Sequence, residues 1–154
     1  MKDIFIDNNV AKNFCTPLDP EYKKLILWLI KDTKDITTTP HLVVSQKLLV
    51  EYLRSSIGAY SETSIPAIID LLTREGRLKK IKPDAIQAFK DEHFSKRRVS
   101  KFKSNAQDHE HIPVVLLSER KIAITIDEGF TFDLLNFPGF SATVASRPEN
   151  INYN

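Results

Sequence analysis

Four acids in this chain have settings suited to holding a divalent cation. Asp7 closes the apolar run Asp3-Ile4-Phe5-Ile6-Asp7, and Glu51 rides the segment that follows His41-Leu42-Val43-Val44-Ser45. Asp108 lies in Ser104-Asn105-Ala106-Gln107-Asp108-His109-Glu110-His111-Ile112, and Asp127 ends Ile122-Ala123-Ile124-Thr125-Ile126. Carboxylates from separate elements suit Mg2+ or Mn2+, hard ions that take oxygen ligands and keep several waters. An ion held this way binds a phosphodiester oxygen, stabilises the charge that develops there and lowers the pKa of a bound water. Phosphodiester hydrolysis then needs no side-chain nucleophile. Without a cation four clustered carboxylates repel one another, so at least one is expected to hold its proton longer than usual. Asn9 is placed to orient Asp7, and Thr125 to hold a carboxylate or a water.

The elements that must position these acids follow from the apolar pattern. Short, near-continuous apolar runs at 3–7, 42–44 and 121–126 read as strands buried on both faces of a parallel sheet. Asp19-Pro20-Glu21 starts a helix with a capping Asp, an early Pro and an acid in the first turn. Tyr22, Leu25, Ile26, Leu29 and Ile30 form its apolar stripe, with Trp28 packing beside it. Residues 32–40 read as a polar loop. Ser45 caps a helix from Gln46 to about Ser56, whose face is Leu48, Leu49, Tyr52 and Leu53. Glu51 falls about 60° from Leu48, at the rim of that face. Gly58 is placed to close this helix. Ser64 caps a helix from Ile65 to Glu75, which Gly76 ends. Residues 78–82 leave strand and helix open, and Pro83-Asp84 starts a helix to about Phe94. Ser104-x-x-Gln107 reads as a capping box that places Asp108 in a first helical turn. Pro113 kinks that helix unless it begins nearer His109. Residues 130–135 form a short helix or turn, and 141–145 a last strand at the sheet edge. Strands alternating with helices give an α/β fold, whose sites lie outside the carboxyl ends of the strands.

The totals fit that frame. A chain of 154 residues, 42% hydrophobic and 27% charged, suits one folded domain and excludes a disordered one. A net charge of +2 is too small to name a partner. The one cysteine, Cys15, excludes an internal disulfide and reads as a core thiol in a reducing, cytoplasmic setting. No apolar run approaches the roughly 20 residues that span a bilayer, and the N-terminus has no signal-peptide pattern. Lys96, Arg97, Arg98, Lys101 and Lys103, with Phe94 and Phe102 among them, form a loop or mobile crossing. It either guides a nucleic-acid backbone or is a solvated face. His109 and His111 with nearby acids offer a zinc alternative, although residues two apart on a helix do not face each other.

At the acids the sequence resembles the PIN-domain nucleases. The motifs are Asp7-Asn8-Asn9-Val10 after the first strand, Ser45 followed by Glu51 on its helix, Asp108 with His111-Ile112 close by, and Thr125-Ile126-Asp127 after a late strand. The resemblance runs from residue 3 to about 145. It implies a three-layer α/β/α sandwich with a mainly parallel sheet over residues 1–146; the tail, 147–154, with Pro148 and three Asn, is expected to be poorly ordered. It implies Asp7, Glu51, Asp108 and Asp127 as catalytic and metal-holding residues of an Mg2+- or Mn2+-dependent endoribonuclease acting on single-stranded RNA. It also implies a toxin–antitoxin role with a small antitoxin-like partner, and a homodimer. Where many relatives carry further acids this chain has Asn105 and Gln107, which reduces the charge available to a second metal. The alternative is a non-catalytic PIN-like module that binds RNA or a protein partner. Residues 58–103 match no motif of the family.

Overall fold

The computed structural model describes residues 2–15, 17–31, 34–35, 37–56 and 61–154. Five strands form one sheet: β1 (Lys2–Ile6), β2 (Pro40–Val44), β3 (Leu78–Lys80), β4 (Ile122–Ile124) and β5 (Thr143–Ala145). Their order is β3-β2-β1-β4-β5, and every pairing is parallel. Helices flank the sheet, as the near-continuous apolar strands require. Ile4, Phe5, Ile6, Leu42, Val43 and Val44 are all fully buried. The ambiguous stretch after Gly76 is strand β3, registered with Leu42 beside Leu78.

The strand order matters for function. The chain builds outward from β1 through β2 to β3, then returns to lay β4 on the other side of β1. Crevices in such sheets form at this reversal, beyond the carboxyl ends of the two strands that flank it. Here those strands are β1 and β4, the ones that lead to Asp7 and Asp127.

Local sequence explains most helix boundaries. Helix α1 (Asn8–Ala11) is one short turn after β1, and α2 (Pro20–Ile30) starts where Asp19 accepts from the Glu21 N–H at 2.9 Å. Helix α3 (Gln46–Ser55) is capped by Ser45, whose Oγ accepts from the Leu48 N–H at 3.1 Å. Gly58, expected to close it, lies outside the described residues. Ser64 occupies the cap position of α4 (Ile65–Arg74), but its side chain makes no capping hydrogen bond. Gly76, at φ +69°, ends that region in the left-handed conformation, and the Arg77 N–H returns to the Leu72 carbonyl. Helix α5 spans Pro83–His93.

Three expectations give way. The basic stretch is not a loop: Ser95 caps a helical turn, α6 (Lys96–Val99), and Phe94 and Phe102 pack edge to face at 5.2 Å. The helix expected near Asp108 starts later, as α7 (His111–Leu116), after a 3-10 turn over Ala106–Asp108. Pro113 explains this, because as the third residue of α7 its missing N–H falls where no intrahelical partner exists. Ser104 does not cap a helix; its hydroxyl goes to Asp133. Residues 147–154 do not hang free. Ile151 is buried, Trp28 Nε1 donates to the Tyr153 carbonyl, and the Trp28 and Tyr153 rings meet edge to face at 5.2 Å. Among the described residues no helix is long and apolar enough to cross a membrane.

Candidate metal centre

Asp7 follows β1, and its backbone N–H donates to the Ile124 carbonyl at 3.0 Å. An Asp at the start of α1 would ordinarily turn its side chain onto the helix as a cap, yet here it makes no capping bond. The Thr125 hydroxyl donates to Asp7 Oδ2 at 2.6 Å instead, joined by Asn9 Nδ2 at 3.3 Å. Thr125 is fully buried, and its oxygen also accepts from Asn9 Nδ2 and from the Asp127 N–H. One donation and two acceptances use all that a hydroxyl offers. Asn9 Oδ1 accepts from the Ile126 N–H at 3.3 Å. The segments after β1 and β4 are therefore laced together at the reversal of the sheet.

Glu51 sits at the rim of α3, as its helical angle requires. It does not turn to Lys47, its partner one helical turn earlier. The ring of His111 donates through Nε2 to Glu51 Oε1 at 3.1 Å and Oε2 at 2.9 Å. His111 is 2% exposed, packs on Phe5 and Phe130, and its Nδ1 has no hydrogen-bond partner. Ligand atoms of Glu51, Asp108 and His111 all lie within 4.8 Å of one another. His109 turns elsewhere, with Nε2 against the Ser104 carbonyl and its ring on Phe102. The two histidines do not form a paired zinc site. Asp127 caps α8 (Glu128–Leu135), accepting from the Phe130 N–H at 2.9 Å through Oδ1. A cap of this kind occupies one oxygen of the carboxylate.

The charges feel one another. Burial raises the Asp7 carboxyl above its ordinary value; the Thr125 hydroxyl and the His111 charge oppose that, and Asp108 adds to it. Burial also raises Asp108; His111 and Lys47 pull it down, while Asp127 and Glu51 push it up. Tyr52, buried and donating to the Ile6 carbonyl, is raised well above its usual value by burial and then by Asp7 and Glu51. Asp108 is thus within electrostatic reach of Asp7, Glu51 and Asp127. Carboxylates from separate elements fit a divalent cation such as Mg2+ or Mn2+, with His111 orienting Glu51 from beside the set.

The fold has a solved counterpart. A chain of the crystal structure of VapBC2 from Rickettsia felis, bound to a DNA fragment from their promoter, superposes with a TM-score of 0.56. The match covers 92% of this chain and 98% of that one at 12% identity, which is a likeness of fold. No protein-family model matches the chain, and no curated protein sequence does.

Two supports of the site were not evident in the sequence. Gly129, in the first turn of α8, lets another backbone pass: a Cβ there would meet the Lys103 carbonyl oxygen at 2.7 Å. One turn later Asp133, 3% exposed, accepts from the Lys103 N–H at 2.7 Å, the Ser104 N–H at 3.0 Å and the Ser104 hydroxyl at 2.5 Å. Together they strap the chain leading to Asp108 across the helix that Asp127 caps. The only sequence signal was an acid and a glycine four apart among Phe130, Phe132 and Leu134. Among the basic residues, Arg97, Arg98, Lys101 and Lys103 line a cleft beside α8, and Lys96 is exposed outside it.

Proposed function

We propose that this protein is a metal-dependent nuclease that hydrolyses phosphodiester bonds in single-stranded RNA, with Asp7, Glu51, Asp108 and Asp127 holding Mg2+ or Mn2+. One observation carries the reading: Asp7 forgoes its cap for Thr125 where the sheet reverses, and Glu51 and Asp108 bring ligand atoms within 4.8 Å of each other. Half-buried, mutually repelling carboxylates are costly to keep unless a cation offsets them. When bound, the cation supplies charge opposite the phosphodiester oxygens and a water of lowered pKa. The chain's own groups do the rest. Thr125 and Asn9 fix Asp7, and His111 fixes Glu51 by binding both of its oxygens.

Likeness to the Rickettsia felis VapBC2 chain supports the finer proposals by analogy of fold alone. They are a toxin role and a small antitoxin-like partner; a homodimer and a cytoplasmic setting rest on the sequence resemblance instead. One observation favours the second reading, a non-catalytic module: both Glu51 carboxylate oxygens are already engaged by His111 Nε2.

Cleavage of a labelled single-stranded RNA separates the two. The wild type is expected to cut in Mn2+ or Mg2+ and to stop in EDTA, with Asp7→Asn and Asp108→Asn at background. Absence of cutting under every divalent metal, by protein that is folded, leaves the binding module in its place.

A further inference from the structure

Helix α6 and the strap at Lys103 face the C-terminal half of α8 across a cleft of about 700 Å³. That volume suits a small organic ligand. One wall is cationic, carrying Arg97, Arg98, Lys101 and Lys103. Among the described residues no carboxylate pairs with any of these four. The acid in the lining, Asp133, is taken up by Lys103 and Ser104. Arg98 is fixed, donating to the His93 carbonyl at 2.8 Å with its guanidinium 5.0 Å from the Phe137 ring centre. Arg97 and Lys101 are exposed.

The opposite wall carries Phe132, which is 42% exposed although Phe130 and Leu134 on the same helix are buried. Lys103 Nζ stands 5.4 Å from the centre of its ring. With Lys103 over one face of the ring, the other face can stack a base while the exposed Arg97 and Lys101 take the backbone, as single-stranded nucleic acid requires. An acidic peptide would use the cations and leave the ring idle. Placement agrees. At about 1.5 Å per residue, Phe132 lies roughly 8 Å along the axis from the Asp127 cap. A strand whose reacting phosphate sits at the acids would reach Phe132 with a neighbouring nucleotide.

We propose that this cleft is a nucleotide subsite, stacking one base of single-stranded RNA on Phe132 while Arg97 and Lys101 hold its phosphates. The proposal rests on the nuclease reading for the position of the cut, and on the cleft alone for binding.

The test is fluorescence titration of a short oligoribonucleotide carrying 2-aminopurine, in EDTA so that no cutting occurs. The wild type is expected to bind it and quench the probe. Phe132→Ala should weaken binding about 5- to 100-fold and lose the quench with an unchanged salt slope, and Phe132→Trp should restore both. The double variant Arg97→Ala/Lys101→Ala should reduce the magnitude of the log–log salt slope by about 1.4, since each lost contact removes about 0.7. Wild-type affinity and quench in Phe132→Ala, or an unchanged slope in the double variant, would overturn the subsite. So would competition by poly-glutamate as strong as that of RNA at equal charge. RNA cut in Mn2+ but indifferent to these variants sinks the subsite and spares the nuclease. Cleft-dependent binding without cutting does the reverse.

Discussion

At the scale of single residues, Asp7 is the informative group. Its environment resists the charged form, and so does that of Asp108. Both carboxyls hold their proton longer in the fold than in the unfolded chain, where the ordinary value is 3.8. In that interval the folded state binds more protons. The metal-free protein therefore loses stability as pH rises from about 3.8 through the raised values. Asp7→Asn keeps the size and one oxygen for Thr125 while removing the half-buried charge. Metal-free Asp7→Asn is expected to melt slightly above the wild type at neutral pH, and the difference should vanish near pH 3. Melting curves at several pH values in EDTA check this; a variant less stable than wild type at neutral pH contradicts it. Adding Mn2+ should raise the wild-type melting temperature, because the ion binds only the folded state, and leave Asp7→Asn unmoved.

At the scale of elements, α8 does two jobs. Its first residues face Asp127, and its Gly129 and Asp133 carry the strap that leads to Asp108. Gly129→Ala ought to gain up to about 1 kcal/mol of helix propensity. The added Cβ, however, would stand 2.7 Å from a backbone oxygen that has no flexible end to move aside. The clash wins: we expect a net loss of about 1–3 kcal/mol in urea denaturation, together with weaker Mn2+ binding as Asp108 shifts. A more stable variant would show that the strap has room to yield. The same elements mark what the sequence made legible. Strands β1, β2 and β4 carry the apolar runs 4–6, 42–44 and 122–124, so Asp7 and Asp127 were visible just beyond β1 and β4. Ser45 and helical angle located Glu51. The late start of α7 was harder to read, because Ser104 and Gln107 mimic a capping box while the true partner of Ser104 is Asp133, distant in sequence. The His111–Glu51 pair was likewise hidden, since it joins two helices that only the tertiary fold brings together. Helix α6 was masked by its charges, which suggest a solvated loop until Ser95 is seen to cap it.

At the scale of the whole molecule, the reversal of strand order between β1 and β4 decides where chemistry can occur, and residues 147–154 brace the fold away from it. That segment joins Trp28 on α2 to Arg120, just before β4, where Arg120 donates to the Asn152 carbonyl at 3.0 Å. Deleting 147–154 should cost about 2–4 kcal/mol, chiefly through Ile151 and the Trp28–Tyr153 contact, without changing cleavage by the fraction that remains folded. Equal stability in urea would show the contact to be incidental. The central claim, that acids from both sides of the reversal hold one divalent cation, is tested most directly by calorimetric titration of Mn2+ into metal-free protein. Saturable binding by the wild type, weakened at least about tenfold in folded Asp7→Asn and in folded Asp108→Asn, is the expected result. Binding unchanged in both variants, or absent from the wild type, would contradict it.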